Sequence, residues 1–328
     1  MLNRLDLRGR AADGLIADLP RPDPGGEGPV EAVRSIIAEV RAGGDAAVRA
    51  LTERFDGVDA STFVVGPDEL AAALAAAPAT LVEALTAARD AVLAFHETQL
   101  RPDHSFTRQG ITVTGRSVPV DRAGCYVPGG RGSYPSSVLM TAVPARVAGV
   151  GEVVLCVPPA RDTGRIAEST LVAAALAGVD EVYAIGGAQA IAAMAYGTET
   201  IRPVDVIAGP GNAFVAIAKR EVAGQVGVPM AFAGPSEIVV VADATAPVDF
   251  VAIDLMVQAE HGPDGLAWLV TWDPTVADAV DAALARLVAE APRSAEISST
   301  FAGGGFCALV DGPEAAMAVV NHIAPEHL

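Results

Sequence analysis

Apolar residues in the first third of the chain recur at helical spacing, and from about Gly124 they gather into short runs separated by glycine-rich turns. Residues 30–42 and 45–55 read as helices, with Gly43 and Gly44 as the break and Asp45 as the cap of the second; residues 67–100 keep the same spacing. Residues 111–120 alternate apolar and polar positions, as a half-buried strand does before it exits at proline. Residues 11–28 mix acids, prolines and glycines without a period and read as an arm or linker. Beyond Gly124, strands are expected at 153–157, 181–185, 204–208 and 238–242, alternating with helices at 136–148, 168–176, 188–196 and 213–222. A mostly buried helix over 249–261 follows Pro247 and is stopped by Gly262 and Pro263. Strand 267–271, helix 276–290, strand 306–310 and helix 313–320 complete the pattern. Such alternation arises from right-handed crossovers on a parallel sheet, so the expected fold class is α/β.

Composition narrows the partners more than the fold. A chain of 328 residues that is 51% hydrophobic and 19% charged has a globular balance, with length enough for two domains. Its net charge of -18 argues against nucleic acid and anionic membrane surfaces as partners. Cys125, Cys156 and Cys307 form no Cys-x-x-Cys pair, which suits a reducing cytoplasm. The first ten residues lack the apolar core of a signal peptide, and no run is long enough to span a bilayer.

Candidate chemistry lies where the pattern predicts turns. Gly186-Gly187-Ala188-Gln189, Gly209-Pro210-Gly211-Asn212 and Gly234-Pro235-Ser236-Glu237 flank expected strands, the places where open sheets bind ligands. Tight crossovers need glycines too, and no Gly-x-Gly-x-x-Gly fingerprint followed by an acid is present. Tyr126 and Arg131 add a ring and a cation beside further glycines, as a ligand anchor or as a surface turn. Gln258 and His261, three apart at a helix end, either share a metal ion or leave His261 capping the last carbonyls. Glu326 and His327 suit proton transfer if a turn brings them to one site, and otherwise form a solvated pair. His96 and His104 fall in a polar connecting stretch, and His322 fits a supporting or loop position.

Taken together, CYVPGGRGSYPSSVLMTAVPARVAGV (125–150), IGGAQAIAAMAYGTETIRPVDVIAGPGNAFVAIAKR (185–220), AGPSEIVVVAD (233–243), QAEH (258–261) and NHIAPEHL (321–328) resemble the histidinol dehydrogenase family, in the family's order. The resemblance implies two related Rossmann-like α/β domains, the second inserted into the first: an N-terminal arm at 1–28, the first domain at 29–125 and 237–328, and the inserted domain at 126–236. It implies a homodimer and a four-electron oxidation of L-histidinol to L-histidine through bound histidinaldehyde, with NAD and one Zn2+. In that reading Gln258 and His261 hold zinc and touch substrate together with Ser236 and His327; Glu326 and His327 are catalytic; Tyr126, Gln189 and Asn212 contact NAD. The family continues past the Glu-His pair into a segment bearing the remaining zinc ligands, whereas the chain ends at Leu328. The resemblance therefore implies a fragment that binds zinc poorly and turns over little. Gly262 and residues 229–232 depart from the family's pattern, which leaves a dehydrogenase of another primary alcohol as one alternative, and a non-catalytic scaffold as another.

Overall fold

A strand covered on both faces reads as an unbroken apolar run, and its alternation shows only once each face has found its layer. The computed structural model describes residues 1–10, 19–20, 29–59, 61–129, 132–231, 237–262 and 265–328. Arg131, Ser236, Pro263 and most of the expected arm lie outside the described residues. The chain begins with β1 (Asn3–Asp6), α1 (Val30–Asp56), β2 (Val64–Val65), α2 (Pro67–Ala76), α3 (Ala79–Glu97) and the pair β3 (His104–Arg108) and β4 (Ile111–Gly115). It continues through β5 (Arg122–Tyr126), α4 (Pro135–Val147), β6 (Glu152–Cys156), α5 (Glu168–Leu176), β7 (Glu181–Tyr183), α6 (Gly187–Tyr196), β8 (Val206–Ala208) and α7 (Ala213–Val222). Then follow β9 (Glu237–Val241), α8 (Val248–Ala259), β10 (Leu266–Thr271), α9 (Pro274–Glu290), α10 (Ser294–Gly304), β11 (Gly305–Leu309) and α11 (Pro313–Ile323).

These elements form two Rossmann-like α/β units, Glu27–Ala233 and the pair of segments Met1–Gly26 and Gly234–Leu328. The first holds a sheet of order β2-β7-β6-β5-β8, parallel except where β2 pairs antiparallel with β7. Val154 and Cys156 enter a core with α1, α6 and α7, while Val153 and Leu155 enter the opposite core with α4 and α5. Both faces are covered, so β6 shows no polar alternation. The expected boundary at 125 is corrected here: β5 ends at Tyr126 and pairs with β6 and β8, and β2 pairs with β7. Residues 29–125 therefore belong with 126–233, because they complete the same sheet.

Two helical breaks have distinct causes. Inside α1, Gly44 sits at φ 52° and ψ -135°, where a Cβ would collide with the Glu199 carboxylate. Glu199 accepts from the Asp45 N–H at 2.7 Å, so Glu199 caps the second half. Asp45, the expected cap, instead receives the Thr200 hydroxyl at 2.5 Å. Between α2 and α3 the axis turns by 113° at Pro78, where the pre-proline residue Ala77 is extended, dividing the expected run over 67–100. The strand expected at 111–120 covers only β4; it pairs with β3, which contains His104, around Gln109 and Gly110, both at positive φ. It is exposed rather than half-buried.

The other unit holds the parallel sheet β1-β11-β10-β9. One face packs on α8, α9 and α10 through Ala267, Leu269, Cys307 and Leu309, the other on α11 through Trp268, Val270, Phe306 and Ala308. Trp268 stacks on Phe306 at 4.5 Å. Residues 3–6 lie in the expected arm but form the edge strand β1, because Asn3–Asp6 finds β11 and buries Leu7 beyond it. The helix α8 stops at Ala259, ahead of His261, and buries Val251 and Leu255 while Phe250 and Val257 stay exposed, so only one face of it is buried. No single described helix is long and apolar enough to cross a membrane.

Candidate functional site

In the unit Glu27–Ala233, the carboxyl ends of the parallel strands bring three expected residues to one edge. Tyr126 closes β5 and is buried; its hydroxyl accepts from the Gly187 N–H at 3.1 Å, at the start of α6. Burial above all, with the nearby Asp56 charge, pushes the phenol up to about 12, against the lowering effect of the Gly187 bond. Gln189 is buried in the first turn of α6. Gly209 follows β8 at φ 113°, with its Cα pressed against the Tyr126 carbonyl so closely that no Cβ fits. Asn212 caps α7, its Oδ1 accepting from the Val215 N–H at 3.2 Å. Glycine backbone, two helix N-termini, a phenol and a buried amide suit a ligand rich in phosphate and hydroxyl groups.

Two residues of this edge escaped the sequence reading. Lys219 is 3% exposed, and its Nζ donates to the Gly209 carbonyl. Burial lowers its pKa. Asp56, at the end of α1, keeps a buried Oδ2 without a hydrogen-bond partner among the described residues, and burial raises its pKa against the pull of Arg161. Asp56 lies in no motif and Lys219 sits near the end of the stretch 185–220, where nothing in the linear pattern sets it apart; both are brought to the loops by folding.

In the other unit, Gln258, His261 and His327 line one cavity of about 610 Å³. Gln258 sits on the last turn of α8, 5% exposed, and its Nε2 has no partner among the described residues. His261 lies just past the helix, with Nδ1 3.1 Å from the Val257 carbonyl and 3.3 Å from that of Gln258. A proton on Nδ1 serves these carbonyls and leaves the Nε2 lone pair free, the tautomer a metal ligand needs. The capping and metal readings of His261 are thus compatible. Turning the Gln258 amide presents its oxygen where the unpartnered nitrogen stands. These two donors fit a metal ion, although no three His, Cys, Asp or Glu side chains among the described residues form a metal cluster.

Backbone pairing sets His327. Ala324, at φ 51°, ends α11 and Pro325 turns the chain away. The His327 N–H then donates to the Glu237 carbonyl at 3.1 Å and its carbonyl accepts from the Val239 N–H at 2.9 Å, a parallel bridge on the edge of β9. Glu326 does not line the cavity; a bend brings its Oε1 to 3.9 Å from the imidazole Nε2. Asp254, one helical turn before Gln258, lines the cavity as well. Its spacing of four from Gln258 was a signal available in the sequence.

Parallel sheets with a glycine-rich edge at their carboxyl ends in one unit, and a cavity lined by an amide and two imidazoles in the other, define a Rossmann-like α/β protein. The family model for histidinol dehydrogenase matches residues 21–328. A histidinol dehydrogenase from Moorella thermoacetica is 50% identical over 305 residues, 92% of this chain and 72% of that protein; one from Pseudomonas aeruginosa is 49% identical over 300 residues, 90% of this chain and 68% of that protein. The crystal structure of histidinol dehydrogenase from Elizabethkingia anophelis superposes with a TM-score of 0.89 at 32% identity, covering 100% of this chain and 75% of that one. The chain belongs to the histidinol dehydrogenase family, oxidoreductases of histidine biosynthesis.

Proposed function

We propose that this protein oxidises L-histidinol to L-histidine through bound histidinaldehyde, using NAD and Zn2+, as a cytoplasmic homodimer. The observation that carries the reading is the buried amide of Gln258, whose Nε2 has no partner among the described residues, in a cavity shared with His261 and His327. Gln258 Oε1 and His261 Nε2 are the donors that would hold zinc, and Tyr126, Gln189 and Asn212 the residues that would receive NAD. When bound, zinc orients the substrate and NAD takes up hydride. Ser236 is a further substrate contact in this reading.

His327 takes the hydroxyl proton as the carbinol carbon loses hydride, leaving the aldehyde. Glu326, within ionic reach of His327, draws a proton from the water that adds to the aldehyde carbon, and loss of a second hydride leaves the carboxylate. One water is consumed, and two NADH and three protons are released. The burial of Gln258 keeps bulk water from its amide. A net charge of -18 supports a small-molecule substrate over nucleic acid or an anionic membrane.

Dimerisation is supported by β3 and β4, where Phe106 faces Val113 and both stay exposed beside Ile111. The test is NADH formation with histidinol, before and after removal of zinc by a chelator. Histidinol-dependent NADH that disappears with zinc and returns on its addition is the expected result. Failure with histidinol, alongside turnover of another primary alcohol, would replace the substrate.

A further inference from the structure

Twenty-one of the twenty-two basic side chains in this chain are arginines, and the single lysine is Lys219. It is also a cation with almost no exposure, at 3%. Among the described residues no carboxylate pairs with it, although the chain carries 40 acids. Arginine and lysine differ in what a buried position must supply. A guanidinium brings five donors in a rigid fork, whereas an ammonium brings three on a flexible stem and can serve a single carbonyl. The acceptor here is the carbonyl of Gly209, the residue lodged against Tyr126.

The seventh residue of α7 thus reaches back along its own helix, the direction in which helical side chains lean, and grips the loop from which that helix starts. Between Gly209 and the helix stands Asn212, whose side chain is engaged in capping. Three contacts therefore hold one loop: Tyr126 against Gly209, Asn212 on Val215, and the ammonium on Gly209.

We propose that Lys219 is a positioning residue of the dinucleotide site, clamping the Gly209 carbonyl so that residues 209–212 keep the form that receives NAD, with a positive charge behind the loop. This rests on the reading of that edge as the NAD site. Among the described residues the charge stands without a carboxylate, and a dinucleotide brings its own anion, the pyrophosphate.

Being alone in the chain, Lys219 also reports on itself. With lysine carbon-labelled at Cε, the unmodified 328-residue protein gives a single lysine signal by NMR. Titration with NAD is expected to move that signal, and titration with histidinol to leave it in place. K219M, which keeps the stem and removes the ammonium, is expected to weaken NAD binding tenfold to a hundredfold, about the worth of a hydrogen bond to a charged donor. Its kcat at saturating NAD and its KM for histidinol should stay within about twofold of the parent. An unmoved lysine signal at saturating NAD overturns the proposal, as does K219M binding NAD as the parent does. If the parent itself binds no NAD, the cofactor reading has failed. Should K219M not fold, the NMR titration of the parent decides alone.

Discussion

The two candidate regions differ in how their polar groups are satisfied. At the glycine-rich edge, the Tyr126 hydroxyl, the Asn212 oxygen and the Lys219 ammonium each have a partner within the protein, while the Asp56 Oδ2 has none among the described residues. In the cavity, the Gln258 Nε2 is buried without one among the described residues, and His327 and Asp254 meet open space. A region that binds a cofactor gains from loops already held in shape, since ordering them on binding costs affinity. A region that holds a metal ion or a reacting group must keep lone pairs uncommitted, and its unmet hydrogen bonds cost stability until the ligand arrives.

Substitutions can separate the two. His327→Asn is expected to lower kcat by about a hundredfold to ten-thousandfold, the usual worth of a general base, while NAD affinity measured by titration is unchanged. Loss of both together would join the regions. Gly209→Ala puts a Cβ into the Tyr126 carbonyl from a backbone at φ 113°, so thermal unfolding should show a loss of about 1–3 kcal/mol, with NAD binding falling and zinc content intact. Gln258→Leu works in the opposite sense. Replacing a buried unpartnered amide by an apolar group should leave stability equal or raise it by about 1–3 kcal/mol while zinc content collapses, measured by melting and metal analysis. A drop in both would mean that Gln258 is structural.

The smallest effect lies away from either region. Arg122, buried at the start of β5, bonds Glu152 at 2.6 Å and Glu181 at 2.5 Å, and holds the Glu181 carboxyl down at about 2. A carboxylate held lower in the folded protein than in the unfolded chain stabilises the fold above its unfolded value, near 4.5, and that contribution disappears as pH falls towards about 2. Acid unfolding followed by circular dichroism should therefore begin at higher pH in Glu181→Gln than in the parent, with zinc and NAD binding at neutral pH unaltered.

Much of the fold was readable because crossover units are local. The helices Glu168–Leu176 and Ala213–Val222 occupy the residues their spacing predicts, and the strands around 153–157 and 267–271 lie within a residue or two of expectation. Three of the misreadings share a cause, a partner distant in the chain, whereas the break at Pro78 and the short exposed strand β4 are local. Asn3–Asp6 becomes a strand only because β11 offers an edge, Asp45 yields the cap to Glu199, and the residues before 125 join the unit that follows because β2 and β5 complete its sheet.

The candidate sites divide along the same line. Residue type and short spacing were enough to single out Gln258 with His261, the Glu326 and His327 pair, and the turns bearing Gln189 and Asn212, because a helical turn or a strand-ending loop is a local object. Tertiary structure alone decided that His327 is pinned to β9 and faces the cavity of Gln258, that the Gln258 Nε2 is buried without a partner among the described residues, and that Lys219 turns back to Gly209. Those are statements about which groups have lost water and what replaced it. Burial and pairing belong to the packed chain, and a linear pattern specifies them only through the fold it produces.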